Sequence, residues 1–241
     1  MKSKPALTLA AIALGAGSFA SAALINVNFN GGGDSPVEST LAGPAGGLGT
    51  TWNSVATVNT GLLNDSTGAS TTVSIATNYS DIKLGQQTSG TLPVFRSFMD
   101  VFSRPNTNTV TFNGLESGGI YDIWILSYRD ITTASTTERN VGTWTTSNTT
   151  TSPSSQSVNS QTGSPDGTTF QEGYNYVLFE NVEATVGGVI SFTAAGNGAG
   201  FPQDDNSRRV HLNGLQINQV PEPSSLLLIA FGGFLGLRRR R

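Results

Sequence analysis

The sequence predicts an all-β fold, a β-sandwich in one domain, and three observations predict it. Only 12% of residues are charged, while Gly reaches 29 residues and Thr, Ser and Asn are plentiful, a composition that suits strands and turns better than helices. Short alternating or β-branched runs recur along the chain, separated by Gly, Pro, Asn and Asp clusters. Between the two ends no stretch carries the 3.6-residue periodicity of an amphipathic helix.

The chain opens with Lys2 and Lys4, an apolar run from Ala6 to Gly17, and Ala20-Ser21-Ala22. These are the three parts of a secretory signal peptide over 1–22: a positive end, an apolar core too short to span, and small residues at Ala20 and Ala22 that fit a signal peptidase. Cleavage is expected after Ala22.

From Ala23 onward the predicted strands are Leu24 to Phe29, Ser70 to Thr77, Thr109 to Phe112, Ile120 to Tyr128, Val141 to Thr145, Tyr174 to Phe179, Val189 to Ala194 and Val210 to Ile217. In the fourth, Tyr121, Ile123, Ile125 and Ser127 share one face and Asp122, Trp124, Leu126 and Tyr128 the other. Both faces are largely apolar, so this strand is expected to be central and covered on each side. Gly187-Gly188 is expected to turn a hairpin, since glycine tolerates positive φ. In the last run Val210 and Leu212 have one parity and Leu215 and Ile217 the other, which predicts a β-bulge at Asn213 or Gly214.

Two stretches read differently. The segment 145–173 is nearly all Ser, Thr, Asn, Gln, Gly and Pro, with too little apolar surface to offset ordering entropy, and is expected to be a long mobile loop. Gly43-Pro44-Ala45-Gly46-Gly47-Leu48-Gly49 looks like a phosphate loop but lacks the Lys-Ser/Thr and helix that phosphate cradling needs.

At the far end Val220-Pro221-Glu222-Pro223-Ser224-Ser225 leads into an apolar stretch from Leu226 to Leu237 and then Arg238, Arg239, Arg240 and Arg241. This segment, 220–241, resembles a PEP-CTERM sorting tail, the type handled by exosortases in Gram-negative-type bacteria, with Pro221, Glu222 and Pro223 as its signature. The resemblance implies an exosortase as partner, export, and display at the cell surface or outside the cell. The physics is consistent with it: two prolines keep the tripeptide extended, and the arginines hold the last residues in the cytoplasm. As a helix, Ser224 to Leu237 would be only about 21 Å long at ~1.5 Å per residue, against a hydrocarbon core of ~30 Å, so the anchoring is expected to be transient. The block from Gly173 to Ile217 is similar to domains attached to such tails, and that similarity implies a jelly-roll-like sandwich over 23–219.

Charge and composition narrow the partners. Without Lys2, Lys4 and Arg238 to Arg241 the 13 basic residues become about seven, and without Glu222 the 16 acidic residues become about fifteen, a net near −8. An acidic surface disfavours nucleic acid. Cys is absent, so stability has to come from core burial, helped or not by a bound cation.

No catalytic residues are expected. The single histidine, His211, sits in an apolar strand, and there is no cysteine and no Gly-x-Ser-x-Gly turn to supply a nucleophile. Zinc lacks ligands for the same reason, and no cofactor is expected beyond a structural calcium. Asp204, Asp205 and Asn206, with Asp34 nearby if the ends meet, offer hard oxygen ligands for Ca²⁺; the competing reading is a solvated acidic turn. Trp144, Trp52 and Tyr128 are the candidates for stacking an extracellular polysaccharide, Trp144 first because polar residues flank it, while Trp124 is expected in the core. Three functions follow: an exported non-enzymatic surface or matrix protein, a lectin-like carbohydrate-binding module, and a secreted glycoside hydrolase working through two carboxylates.

Overall fold

A computed structural model describes residues 24–29, 40–47, 49–56, 59–79, 81–83, 92–96, 98–100, 108–129, 141–148, 154–159, 167–196 and 210–221. The segment 1–22, including Ala20 and Ala22, lies outside them. So do Asp34, Asp204, Asp205, Asn206, Glu222, Pro223 and Arg238 to Arg241. The described residues are mostly strand with almost no helix. The strands are β1 (Ile25–Phe29), β2 (Asn53–Val55), β3 (Ser74–Thr77), β4 (Asp81–Lys83), β5 (Phe98–Asp100), β6 (Asn108–Asn113), β7 (Ile120–Leu126), β8 (Val141–Thr146), β9 (Ser155–Asn159), β10 (Tyr176–Glu183), β11 (Ile190–Gly196) and β12 (Gly214–Gln219).

Two five-stranded sheets form, in the orders β10-β7-β12-β1-β2 and β3-β6-β11-β8-β9, with β4 and β5 as a separate pair. Strict alternation builds the inner faces. Asn108, Val110 and Phe112 of β6 are buried while their neighbours are half-exposed, and β11 alternates the same way through Ile190, Phe192 and Ala194. Opposite them the first sheet presents Val27, Ile123, Phe179 and Leu215 to the same core. The layers meet where the rings of Phe179 and Phe192 stand 4.9 Å apart. Such tilted contacts add to the burial of both rings.

The first sheet is covered on its other face too, as the doubly apolar pattern of β7 predicts. A second cluster, with Leu41, Trp52, Val94, Phe95, Leu126, Tyr128 and Tyr174, packs there, and Trp124 lies partly buried against it. Part of that cover is a single 3-10 turn, Pro93–Phe95. Beneath it the sheet carries amides: Asn26, Asn28 and Gln216 are fully buried.

Three findings differ from the sequence reading. Within 145–173 the chain forms β9, an edge strand on β8 paired from Thr145 with Ser155 to Val141 with Asn159. Its one buried apolar residue is Val158, so backbone bonding along an open edge, not burial, organises it. The parity break before β12 does not come from a bulge: Leu212 bonds Met99 of β5 in both directions, at 2.8 and 3.2 Å, and β12 begins only at Gly214. Gly214 is required there because a Cβ would lie 2.6 Å from the Val27 carbonyl oxygen. A real irregularity falls in β10 instead, between Phe179 and Val182, where Asn181 takes a φ of 55° and donates its backbone N–H to Asp122 Oδ1 at 3.0 Å.

Strand directions give the sandwich two distinguishable ends. Ile25 pairs with Ile217, and Gln219 with Tyr121 near the start of β7. The β6–β7 connection, the β10–β11 turn and the entry to β3 lie at this same end, because Asn113 pairs with Ser74 and Phe112 with Ile190. The described domain therefore begins and ends side by side at one pole.

Candidate functional site

At that pole an open cleft of about 310 Å³ lies between the two sheets, near the low end of the ~300–1,000 Å³ typical of small-molecule sites. Its floor is apolar. Ile25 and Ile217 come from adjacent strands of the first sheet, and Val73 and Leu115 from the chain that enters and leaves the second. All four are buried and belong to the main core.

The rim is polar, and a hydrogen-bond network positions it. After β6 the chain turns at Glu116, where Gly119 N–H donates to the Glu116 carbonyl at 3.0 Å and Leu115 N–H to Gly188 at 3.0 Å. This brings the Glu116 N–H over the Tyr121 hydroxyl, which accepts it at 2.9 Å. Gln219 stands opposite Tyr121 on β12 and donates its side-chain amide to the Glu116 carboxylate. Across the cleft Thr72 donates its hydroxyl to the Gly114 carbonyl at 2.6 Å, and Thr71 donates to the Leu63 carbonyl at 2.8 Å. Burial pushes the Tyr121 phenol up from its ordinary value and the Glu116 charge adds to the rise, so Tyr121 stays protonated and keeps an O–H to donate. Among the described lining residues Glu116 is the single charged group.

The sequence offers Tyr121 only as a strand-face residue, and neither it nor Glu116 and Gln219 as a site candidate. Glu116 and Tyr121 are close neighbours joined by a Gly-Gly turn, a readable local signal, whereas Gln219 is 103 positions from Glu116 and only strand register brings them together.

The aromatic residues expected to face solvent are corrected by their burial. Trp144 is fully buried in the main core. Its polar neighbours Thr143 and Thr145 point the other way, so Gly142, Trp144 and Thr146 form the inward row of β8. Trp52 and Tyr128 are buried in the outer cluster. Trp52 donates its indole N–H to the Gly47 carbonyl at 3.1 Å, and the Tyr128 ring lies 5.1 Å from Phe95. None of the three offers a face for stacking, and they do not meet at one site. His211 is fully buried, and its carbonyl accepts the Ser127 hydroxyl. The glycine-rich loop is structural: Gly43 and Gly46 exchange backbone bonds at 2.9 Å, and Gln216 holds the turn from the sheet below. Among the described residues no group of three or more His, Asp or Glu is placed to hold a metal ion, and no helix is long and apolar enough to cross a membrane.

No curated protein matches the chain. Among solved structures it is similar to the ANX2 ectodomain from Arabidopsis thaliana, at 16% identity over 83% of this chain and 51% of that one, with a TM-score of 0.49. It is also similar to the ANXUR1 extracellular domain from Arabidopsis thaliana, at 16% identity over 83% of this chain and 49% of that one, with a TM-score of 0.48. The chain spans about half the length of these structures. One family model matches, over residues 219–241, beginning at the last residue of β12. The chain carries at its C-terminal end a PEP-CTERM protein-sorting motif, which marks it as an exported substrate for exosortase sorting.

Proposed function

We propose that this is a non-enzymatic protein of the cell surface or extracellular matrix, exported by a signal peptide over 1–22 and held transiently at the membrane by its tail until an exosortase processes it. The observation that carries this reading is the position of the tail. The sorting motif starts at Gln219, inside β12, and the Val220 N–H is still bonded to the Ile120 carbonyl at 2.8 Å. The folded domain thus reaches to within one residue of Pro221. An anchored tail would hang the sandwich by one pole and present the opposite pole outward.

Two further observations support the reading. Apart from β2, which adds to β1 in parallel, and β3, which adds to the edge of β6, the strands of the two sheets run in the orders β1-β12-β7-β10 and β6-β11-β8-β9 with every pair antiparallel; this order favours a jelly roll, an architecture used by many binding and capsid domains. Among the described lining residues the cleft holds a single carboxylate, Glu116, where hydrolysis of a glycosidic bond uses a pair.

Mass spectrometry of the exported protein, together with fractionation, tests the proposal. The expected product begins at Ala23, ends near Pro221 to Ser224 and is found at the surface or in the medium. An exported pool that retains Arg241 overturns the processing step, and a chain that keeps Met1 in the cytoplasm overturns the whole reading.

A further inference from the structure

We propose that the cleft at the tail pole binds an uncharged, hydroxyl-rich ligand the size of one pyranose ring. This goes beyond surface display and stands or falls separately from it.

The chemistry of the lining selects the ligand. Two layers face it: an apolar floor that includes Ile25, Leu115 and Ile217, and a polar rim formed by Glu116, Tyr121 and Gln219. A pyranose has the matching division, with a C–H face for the floor and equatorial hydroxyls for the rim. The rim is rich in acceptors. Its carboxylate takes one hydrogen bond from Gln219, which leaves acceptor capacity on both that carboxylate and the Gln219 carbonyl oxygen. Tyr121 accepts from the Glu116 N–H and has its own proton to give. A pair of neighbouring hydroxyls can donate to the carboxylate and amide while accepting from the phenol. An anion is disfavoured, because the one charged group among the described lining residues is itself negative.

The rim is also built in advance. The Glu116 main chain is fixed by Tyr121 and its side chain by Gln219, and Thr72 ties the opposite wall to Gly114. Preorganisation of this kind reduces the ordering cost of binding a small ligand.

The test uses the processed, exported protein and saturation-transfer NMR with glucose, galactose, mannose and xylose, with glucuronate and glucosamine as charged controls. The expected result is transfer to at least one neutral sugar and none to glucuronate. Glu116→Gln and Tyr121→Phe should each weaken that binding about tenfold, with melting curves showing the variants folded, and Glu172→Gln, exposed at the opposite pole just before the Tyr176–Leu126 pair, should leave it unchanged. If Tyr121→Phe fails to fold, Thr72→Ala replaces it and should weaken binding as well. Absence of transfer to every neutral sugar, binding indifferent to the cleft variants, or binding of glucosamine alone would overturn the proposal. The mass of the processed chain is read on the same sample, so a failure of sorting and a failure of the cleft are told apart.

Discussion

Gln216 donates its side-chain amide to Oδ1 of Asn26 at 2.8 Å, on a face of the first sheet where both residues are fully buried. The same amide reaches the Gly46 carbonyl at 3.1 Å, and its oxygen accepts the Ala45 N–H at 2.9 Å. One side chain therefore fastens the glycine loop to the strand pair β1 and β12. Gln216→Ala would leave the buried Asn26 Oδ1 and the half-buried Ala45 N–H without this partner, and the expected loss is about 2–3 kcal/mol, measured by urea unfolding.

Trp144 gives the reverse of a binding-site result. Trp144→Ala should destabilise the domain by about 3–5 kcal/mol, as expected when a large core side chain is removed. The Trp144 indole nitrogen is buried and has no hydrogen-bond partner, so Trp144→Phe sacrifices no polar contact and should cost less than half as much. Neither change should alter sugar binding by the fraction that remains folded. Thermal melts beside the NMR assay check both.

Gly114 has φ +77°, and a Cβ there would lie 2.0 Å from the Thr72 carbonyl oxygen. Backbone cannot move aside as a flexible side chain does, so Gly114→Ala should cost roughly 2 kcal/mol or more. Gly61 has nothing within 4 Å of the same position, and Gly61→Ala should stay within about 0.5 kcal/mol of wild type. Paired denaturant titrations of the two variants test the contrast.

Asp65 Oδ1 accepts the Thr67 hydroxyl at 2.6 Å and the backbone N–H groups of Thr67 and Ala69 at 2.8 and 3.0 Å. These bonds, the hydroxyl first, hold its carboxyl below the usual carboxylate value. A depressed folded value contributes stability that is present above the unfolded value and lost as pH falls through the folded one. The loss should begin near pH 4 and continue downward. Asp65 is half-exposed and solvent screens it, so the effect is small. Asp65→Ala should flatten the acid limb of a plot of Tm against pH while leaving the alkaline limb unchanged.

Strands whose burial follows a simple alternation were legible in the sequence. β6, β7 and β11 declare their inward faces through Val110 and Phe112, Ile123 and Ile125, and Ile190 and Phe192. β9 did not, because Ser155 to Asn159 contains one apolar residue and is ordered by the backbone edge of β8. β2, β4 and β5 are three residues each, too short for a period to show. At Trp144 the residue was visible and its direction was misjudged: polar flanks signal exposure in a loop, but in a strand they occupy the opposite face. The cleft was least legible. Its local half, Glu116 and Tyr121 around Gly118-Gly119, lies within one turn, while Gln219 joins them only through the pairing of β7 with β12.

That pairing has a mechanical consequence. β12 lies inside its sheet, hydrogen-bonded to β1 on one side and β7 on the other, and it is the strand that continues into the tail. A pull on the tail against a load at the opposite pole runs along β12, across ladder bonds that lie perpendicular to it. Both ladders then share the force in shear, so the attachment strand resists extraction in a way that an edge strand, peeled one bond at a time, would not.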